Sequence, residues 1–177
     1  DILSAPIIDD KFDTNHIKIS NWNADIHIPQ LRNDDFIFNI KRFKVNEKSG
    51  IVIDNLHGDF HIASTGIKVS GLELKLKNSN IAFSDITLSH NNWDEFNSKI
   101  KNIPLDISIK DGSYISLNDL APFVPKLKNS NDRFNINLSL NGELNNLAIN
   151  SLNISHNTKP IKLKASGNIE NIKTPKS

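Results

Sequence analysis

The residues with the means to do chemistry are few and poorly spaced for it. Six histidines are present, and His57 with His61, flanking Asp59, is the one close pair. A four-residue spacing suits two ligands on one turn of helix. Gly58 and the alternation of Phe60 with Ile62 instead place this stretch in a turn and a strand. In a strand, residues four apart share a face at a separation of about 13 Å, too far to hold one ion unless a third element folds over them. The acid pairs Asp9-Asp10 and Asp34-Asp35 are adjacent, so in extended chain their carboxylates diverge, and both read as solvated turns. Asp111-Gly112-Ser113 lacks the further oxygen ligands of a calcium loop and reads as a hairpin turn. With no Cys, the chain has no disulfide, thiolate zinc site, iron–sulfur cluster or thiol nucleophile. There is no G-x-S-x-G, no H-E-x-x-H and no glycine-rich phosphate cradle. The expectation is a chain with no metal, no cofactor and no enzymatic activity.

The elements that would have to position such groups are strands. The commonest residues are Ile and Asn; the first fits a pleated surface, and the second favours turns and tolerates left-handed backbone. Apolar residues alternate in Ile17–Ile19, Ile26–Ile28, Phe36–Ile40, Ile51–Ile53, Phe60–Ile62, Ile67–Val69 and Leu72–Leu76. The alternation returns in Ile81–Phe83, Ile86–Leu88, Leu105–Ile109, Ile136–Leu140 and Ile161–Leu163. That predicts about a dozen short strands and an all-β, antiparallel fold: an elongated curved sheet, open as a trough or closed as a sandwich, with one or two short helices. Between Phe36 and Val45 the apolar parity slips at Lys41-Arg42, which predicts a bulge or bend.

Two stretches break the period. Asn92 to Lys101 carries Trp93, Phe96 and Ile100 at helical spacing, with Asn92 and Glu95 in capping-box register, so a short helix is predicted. Leu117 to Leu127 is predicted to form one or two turns capped at Asn118, with Pro122 in the first turn, Leu120 and Phe123 inward, and Pro125 as the stop. The whole of 1–177 reads as one β region with a sub-boundary near 90–104. A weak repeat joins Gly142-Glu143-Leu144-Asn145-Asn146-Leu147 to Gly167-Asn168-Ile169-Glu170-Asn171-Ile172, a unit that must stack on copies of itself to bury its apolar side.

Lys and Arg number 21 against 20 for Asp and Glu, a net charge of +1, which argues against nucleic acid as a partner. Lys75 with Lys77, and Lys162 with Lys164, alternate with apolar residues and carry no interleaved aromatics, as a solvated strand face does. No run approaches the roughly 18 apolar residues of a membrane span. A chain starting at Asp1 with no Met anywhere is read as a processed product or a piece of a longer protein.

The stretch from Ile107 to Pro125 (ISIKDGSYISLNDLAPFVP) resembles the TamB (translocation and assembly module) branch of the AsmA-like family, where a strand and a serine-containing turn lead into S-L-x-D-L-x-x-F-x-P. Leu138 to Leu147 and Ala165 to Ile172 are similar to that family's recurrent strand, G-x-(L/I)-x-N-(L/I) units. Gly50 to Phe60 and Gly71 to Ser79 share the rhythm, so the resemblance spans about Gly50 to Ile172. It implies a fragment of a cell-envelope protein of a diderm bacterium, anchored in the inner membrane outside this fragment, with a β body in the periplasm. It further implies phospholipid as cargo, an outer-membrane barrel protein as partner in outer-membrane protein assembly, and no catalytic residues.

The residues predicted to form the apolar, lipid-facing side are Phe36, Phe38, Ile40, Leu72, Leu74, Leu76, Ile81, Phe83, Ile136, Leu138, Leu140, Ile161 and Leu163. Alternation reports one apolar side without saying what covers it, so a second sheet, a closed barrel and lipid chains all stay open. Two functions follow: a segment that carries or shields acyl chains, or a scaffold that guides outer-membrane strands by edge pairing. A carbohydrate-binding module would want exposed aromatic platforms, and the chain has one Tyr and two Trp, of which Trp93 is expected to be buried.

Overall fold

The structure, a computed structural model, describes residues 12–13 and 17–170. Asp9-Asp10 and the end of the second repeat unit, Asn171-Ile172, lie outside the described residues. Eleven strands form one antiparallel sheet: β1 (Ile19–Arg32), β2 (Asp35–Glu47), β3 (Val52–Ala63), β4 (Gly66–Leu76), β5 (Asn80–Ala82), β6 (Ile86–Ser89), β7 (Pro104–Ile109), β8 (Tyr114–Ser116), β9 (Arg133–Glu143), β10 (Asn146–His156) and β11 (Lys162–Glu170). The order is β1-β2-β3-β4-β5-β8-β9-β10-β11, with β6 and β7 forming a second bridge between β4 and β9. Strands consecutive in the chain are mostly neighbours in space, as short Asn, Asp and Gly turns require. A second sheet, the sandwich alternative, is not formed by the described residues, and β1 does not meet β11 to close a barrel.

Bulges keep the sheet's two sides distinct. Ile26 pairs with Ile40 but Asp25 with Arg42, and Gly58 pairs with Ile40 but Leu56 with Phe43. Lys41 is therefore an extra residue against both neighbours, and the parity slip predicted there returns Phe43 to the side that Ile40 occupies. Asn150 does the same in β10, where Ile149 pairs with Leu140 but Ser151 with Ser139. An extra residue at Gly71 and Leu72 of β4, whose neighbours Ser70 and Glu73 pair with Asp59 and His57, is eased by Gly71 at φ +60.

The helical stretches depart from expectation in detail. Helix α1 (Trp93–Lys99) is capped by Asn92, whose side-chain oxygen accepts the Glu95 N–H at 2.8 Å. Glu95 reaches back to Asn91 rather than to Asn92, accepting its backbone N–H at 2.7 Å. Trp93 is half-buried, not buried, and no residue of α1 is buried. The chain tightens into a 3-10 turn at Ile100–Asn102, which turns Ile100 outward and gives the inward position to Ile103, 3 % exposed.

The 117–127 stretch forms two separate 3-10 turns, Leu117–Leu120 and Pro125–Leu127. Asn118 does not cap its own turn: its side-chain oxygen accepts the Asn129 N–H at 2.7 Å. Pro125 opens the second turn instead of stopping a helix, because a proline at the first position has no N–H to satisfy. Leu120 is half-buried, while Pro122 is buried and Phe123 is exposed, with the Phe12 ring against it at 5.4 Å.

Candidate functional site: an apolar face across the sheet

Because cross-strand partners share a side of the sheet, the pairing register shows which side chains stand together. One row runs Leu31, Phe36, Ile62, Ile67, Leu88, Leu105, Gly142, Leu147, Ile169, entering nine strands from β1 to β11. A second runs Ile26, Ile40, Gly58 on one half and Phe83, Ile109, Leu138, Leu152, Ala165 on the other, with Leu72 joining them. The Leu72 carbonyl accepts the Phe83 N–H at 2.9 Å. A Cβ on Gly58 would stand 3.2 Å from the Leu72 Cα, so glycine lets these two strands approach. Between these rows, Phe38 and Phe60 stack at 4.7 Å with planes 3° apart, and Phe60 pairs with Val69. Further along, Phe43, Leu56, Leu74 and Ile81 form another row.

Twelve of the thirteen residues singled out from the sequence stand on this one side, and the thirteenth, Ile161, immediately precedes β11. Phe36, Phe38, Ile40, Leu72, Leu74, Leu76, Ile81, Phe83, Ile136, Leu138 and Leu140 are half-buried. Ile161 and Leu163, at the β11 edge, are 50 % and 52 % exposed. The same side also holds Leu31, Leu56, Phe60, Val69, Ile109 and Leu152, which obey the same alternation and were omitted from the sequence selection. The decisive observation is the degree of burial. Apart from Pro122, the large apolar side chains buried among the described residues are Val45, Val69, Ile103, Ile109 and Leu147; a sandwich core would enclose far more of so long a face. At the β1 edge Trp22 is 69 % and Leu31 71 % exposed, and an apolar notch of about 320 Å³ opens among Ile19, Trp22, Phe43 and Val45.

The other side is polar. His57 lies 3.6 Å from Glu73, and His61 meets Asp35 at 2.7 Å, so the two histidines face separate carboxylates. Asp35 is not the solvated turn residue expected: it opens β2, where strand pairing brings it beside His61 and lets it also accept from Gln30 at 2.6 Å. Asp34 and Asp111-Gly112 do form turns. Lys68 and Asp85 pair at 2.9 Å, and the Lys68 ammonium, followed by the Ser70 hydroxyl, lowers the Asp85 pKa. Lys162 and Lys164 pair with Ser155 and Asn153, on this side.

Sequence reasoning missed the polar networks at the strand ends. Ser79 and Ser113 are both 1 % exposed. Ser79 Oγ donates to Asp119 at 2.6 Å and accepts the Ser116 N–H at 2.9 Å, while Ser113 Oγ accepts the Ala82 N–H at 3.0 Å. His156 Nδ1 accepts the N–H groups of Thr158 and Lys159, which leaves Nε2 to donate to Asp132 at 2.9 Å. Apart from Thr158 and Lys159, which follow His156 closely, these partners lie tens of residues apart, and no local spacing signals them.

No family model, curated protein or solved structure matches the chain. What the arrangement can do therefore rests on its geometry: a broad apolar surface, half-open, continuous across the strands and bounded by a polar back. Apolar surface of this extent seeks a cover, since each large aliphatic or aromatic side chain removed from water contributes about 1.5–3 kcal/mol.

Proposed function

We propose that this chain is a non-enzymatic segment of a cell-envelope biogenesis protein, and that its apolar face carries or shields phospholipid acyl chains between the inner and outer membranes of a diderm bacterium. The observation that carries the reading is the uninterrupted apolar row from Leu31 to Ile169 with its neighbours half-exposed. A uniform track without a deep pocket gives an acyl chain no single strong site, and that suits movement over distance better than storage. The resemblance to the TamB branch supports the same reading and adds the periplasm and an inner-membrane anchor in a longer parent protein.

The test is lipid capture. The purified chain is incubated with phosphatidylethanolamine and phosphatidylglycerol vesicles, re-isolated, and its bound lipid quantified. Bound phospholipid is expected, with a loss of at least fivefold in Phe38→Asp/Leu140→Asp and retention in Ser139→Asp on the polar side. Equal binding by all three proteins, or none by the parent, contradicts the proposal.

A second reading has its own support. Among the described residues, β1 pairs with β2 alone and β11 with β10 alone, so each presents one free edge. Such edges recruit further strands, which fits a scaffold for outer-membrane protein assembly that pairs with a barrel partner. Prolines placed along β1 or β11 would abolish partner capture under this reading and leave lipid capture intact.

A further inference from the structure

The polar side of the sheet carries a second candidate site, independent of the lipid reading. Tyr114 pairs with Asn135, and Ser116 with Arg133, one residue out of phase with the Ile115–Phe134 pair on the apolar side. Around them the turns at 77–79 and 117–131 enclose a cleft of about 650 Å³. Every residue lining it bears a side-chain nitrogen or oxygen, two are cations, and none is an acid. The cations are Lys77 and Arg133, and neither has an ion pair among the described residues.

The nearby acids are already engaged. Asp119 accepts from the Asn78 N–H, the Asn78 amide and the Ser79 hydroxyl at 2.9, 2.7 and 2.6 Å. Asp132 accepts from His156 and Lys159 at 2.9 and 2.5 Å. The donors are held in place as well. The Arg133 guanidinium lies 3.2 Å from the Tyr114 ring centroid, a stack that fixes its plane and leaves its N–H edges available. Asn118 uses its oxygen on the Asn129 N–H, so its amide nitrogen is free to donate. Ser130 accepts the Asp132 N–H, which leaves its O–H to give. A fixed planar guanidinium and an ammonium, surrounded by donors and cleared of carboxylates, select an oxyanion. The remaining amides of Asn131 and Asn157, each both donor and acceptor, suit hydroxyl groups.

We propose that this cleft binds a phosphorylated polyol, with the phosphate on Arg133 and Lys77 and the hydroxyls on the asparagine amides. The ligand is either a free organophosphate or the same group displayed as a lipid headgroup.

The test is an NMR titration of the isotope-labelled chain with glycerol 3-phosphate, with inorganic phosphate and glycerol as separate arms. Saturable shifts are expected in the side-chain amides of Asn118, Asn131 and Asn157 with glycerol 3-phosphate, weaker binding of inorganic phosphate, and none of glycerol. Lys77→Gln, at an exposed position, should weaken binding at least tenfold with the rest of the spectrum unchanged. Arg133→Gln should do the same, and if it unfolds the chain, Lys77→Gln alone decides. Co-sedimentation with phosphatidylglycerol but not phosphatidylcholine vesicles, lost in Lys77→Gln, assigns the group to a lipid headgroup; binding of glycerol 3-phosphate without sedimentation assigns it to a free organophosphate. Absence of saturable binding, binding unchanged by Lys77→Gln, or glycerol 3-phosphate bound no better than inorganic phosphate overturns the proposal.

Discussion

Asp119 shows how much of the molecule hangs on single polar contacts. Its carboxylate joins the 77–79 turn to the 117–120 turn through three hydrogen bonds, one of them to a serine hydroxyl that is almost wholly enclosed. Asp119→Ala leaves Ser79 without that acceptor and is expected to cost about 1–3 kcal/mol in urea unfolding; an unchanged midpoint would show the network to be incidental. Gly142 is equally constrained, at φ +123 with a Cβ position that falls against the Asn146 carbonyl oxygen. Gly142→Ala is expected to cost about 2–3 kcal/mol, read by the same measurement.

Asp132 supplies a pH dependence. Lys159, and after it His156, hold its carboxyl below the ordinary value of 3.8. A lowered folded-state pKa means that the stabilisation is present above the unfolded value and is lost as pH falls through the folded one. The stability gap between the parent and Asp132→Asn should therefore hold at pH above the carboxylate range and close as the pH drops below 3.8. A gap that persists unchanged into strong acid contradicts the assignment.

At the scale of the element, the bulges explain why the apolar side survives strands of up to fourteen residues. Lys41 is surplus to both neighbours of β2. Deleting it makes β2 regular and leaves Phe43 and Val45 on the side they already occupy, so the loss should stay within about 1 kcal/mol. Deleting Asn39, which pairs with Asp59 in regular register with β3, lets the bulge take up the lost residue only by turning Ile40 to the polar side and bringing Lys41 to the apolar one, and should cost about 2–3 kcal/mol. Equal effects of the two deletions would contradict the bulge assignment.

The same comparison shows what was legible in the sequence. Strand identity, the all-β class and the slip at Lys41-Arg42 could be read because period-two alternation is a local property. The α1 start could be read because Asn92 and its cap partner are three residues apart. The double 3-10 turn at 117–127 could not, because Asn118 is diverted to Asn129 by a tertiary contact. For the same reason Asp35 looked like a turn residue until strand pairing set it beside His61. The thirteen apolar positions were selected by alternation, and their assembly into rows depended on a register that no local pattern prints.

For the whole molecule, the central feature is one broad sheet whose two sides differ in chemistry: a half-exposed apolar face from Leu31 to Ile169, and a polar back on which the Lys77 and Arg133 cleft opens. With five large apolar residues enclosed among those described, the apolar face itself stays half-exposed. The most direct measurement is photo-crosslinking in cells, with the probe in the protein at Leu138 and, as its outward control, at Ser139. Leu138 lies between Ile109 and Leu152 on the apolar face, while Ser139 lies between Ser108 and Ser151 on the polar back. Phospholipid adducts at Leu138 and none at Ser139 are the predicted result. Adducts at neither position, with Leu138 crosslinking within its own chain, would mean that protein covers the face, and would contradict the lipid-carrying account.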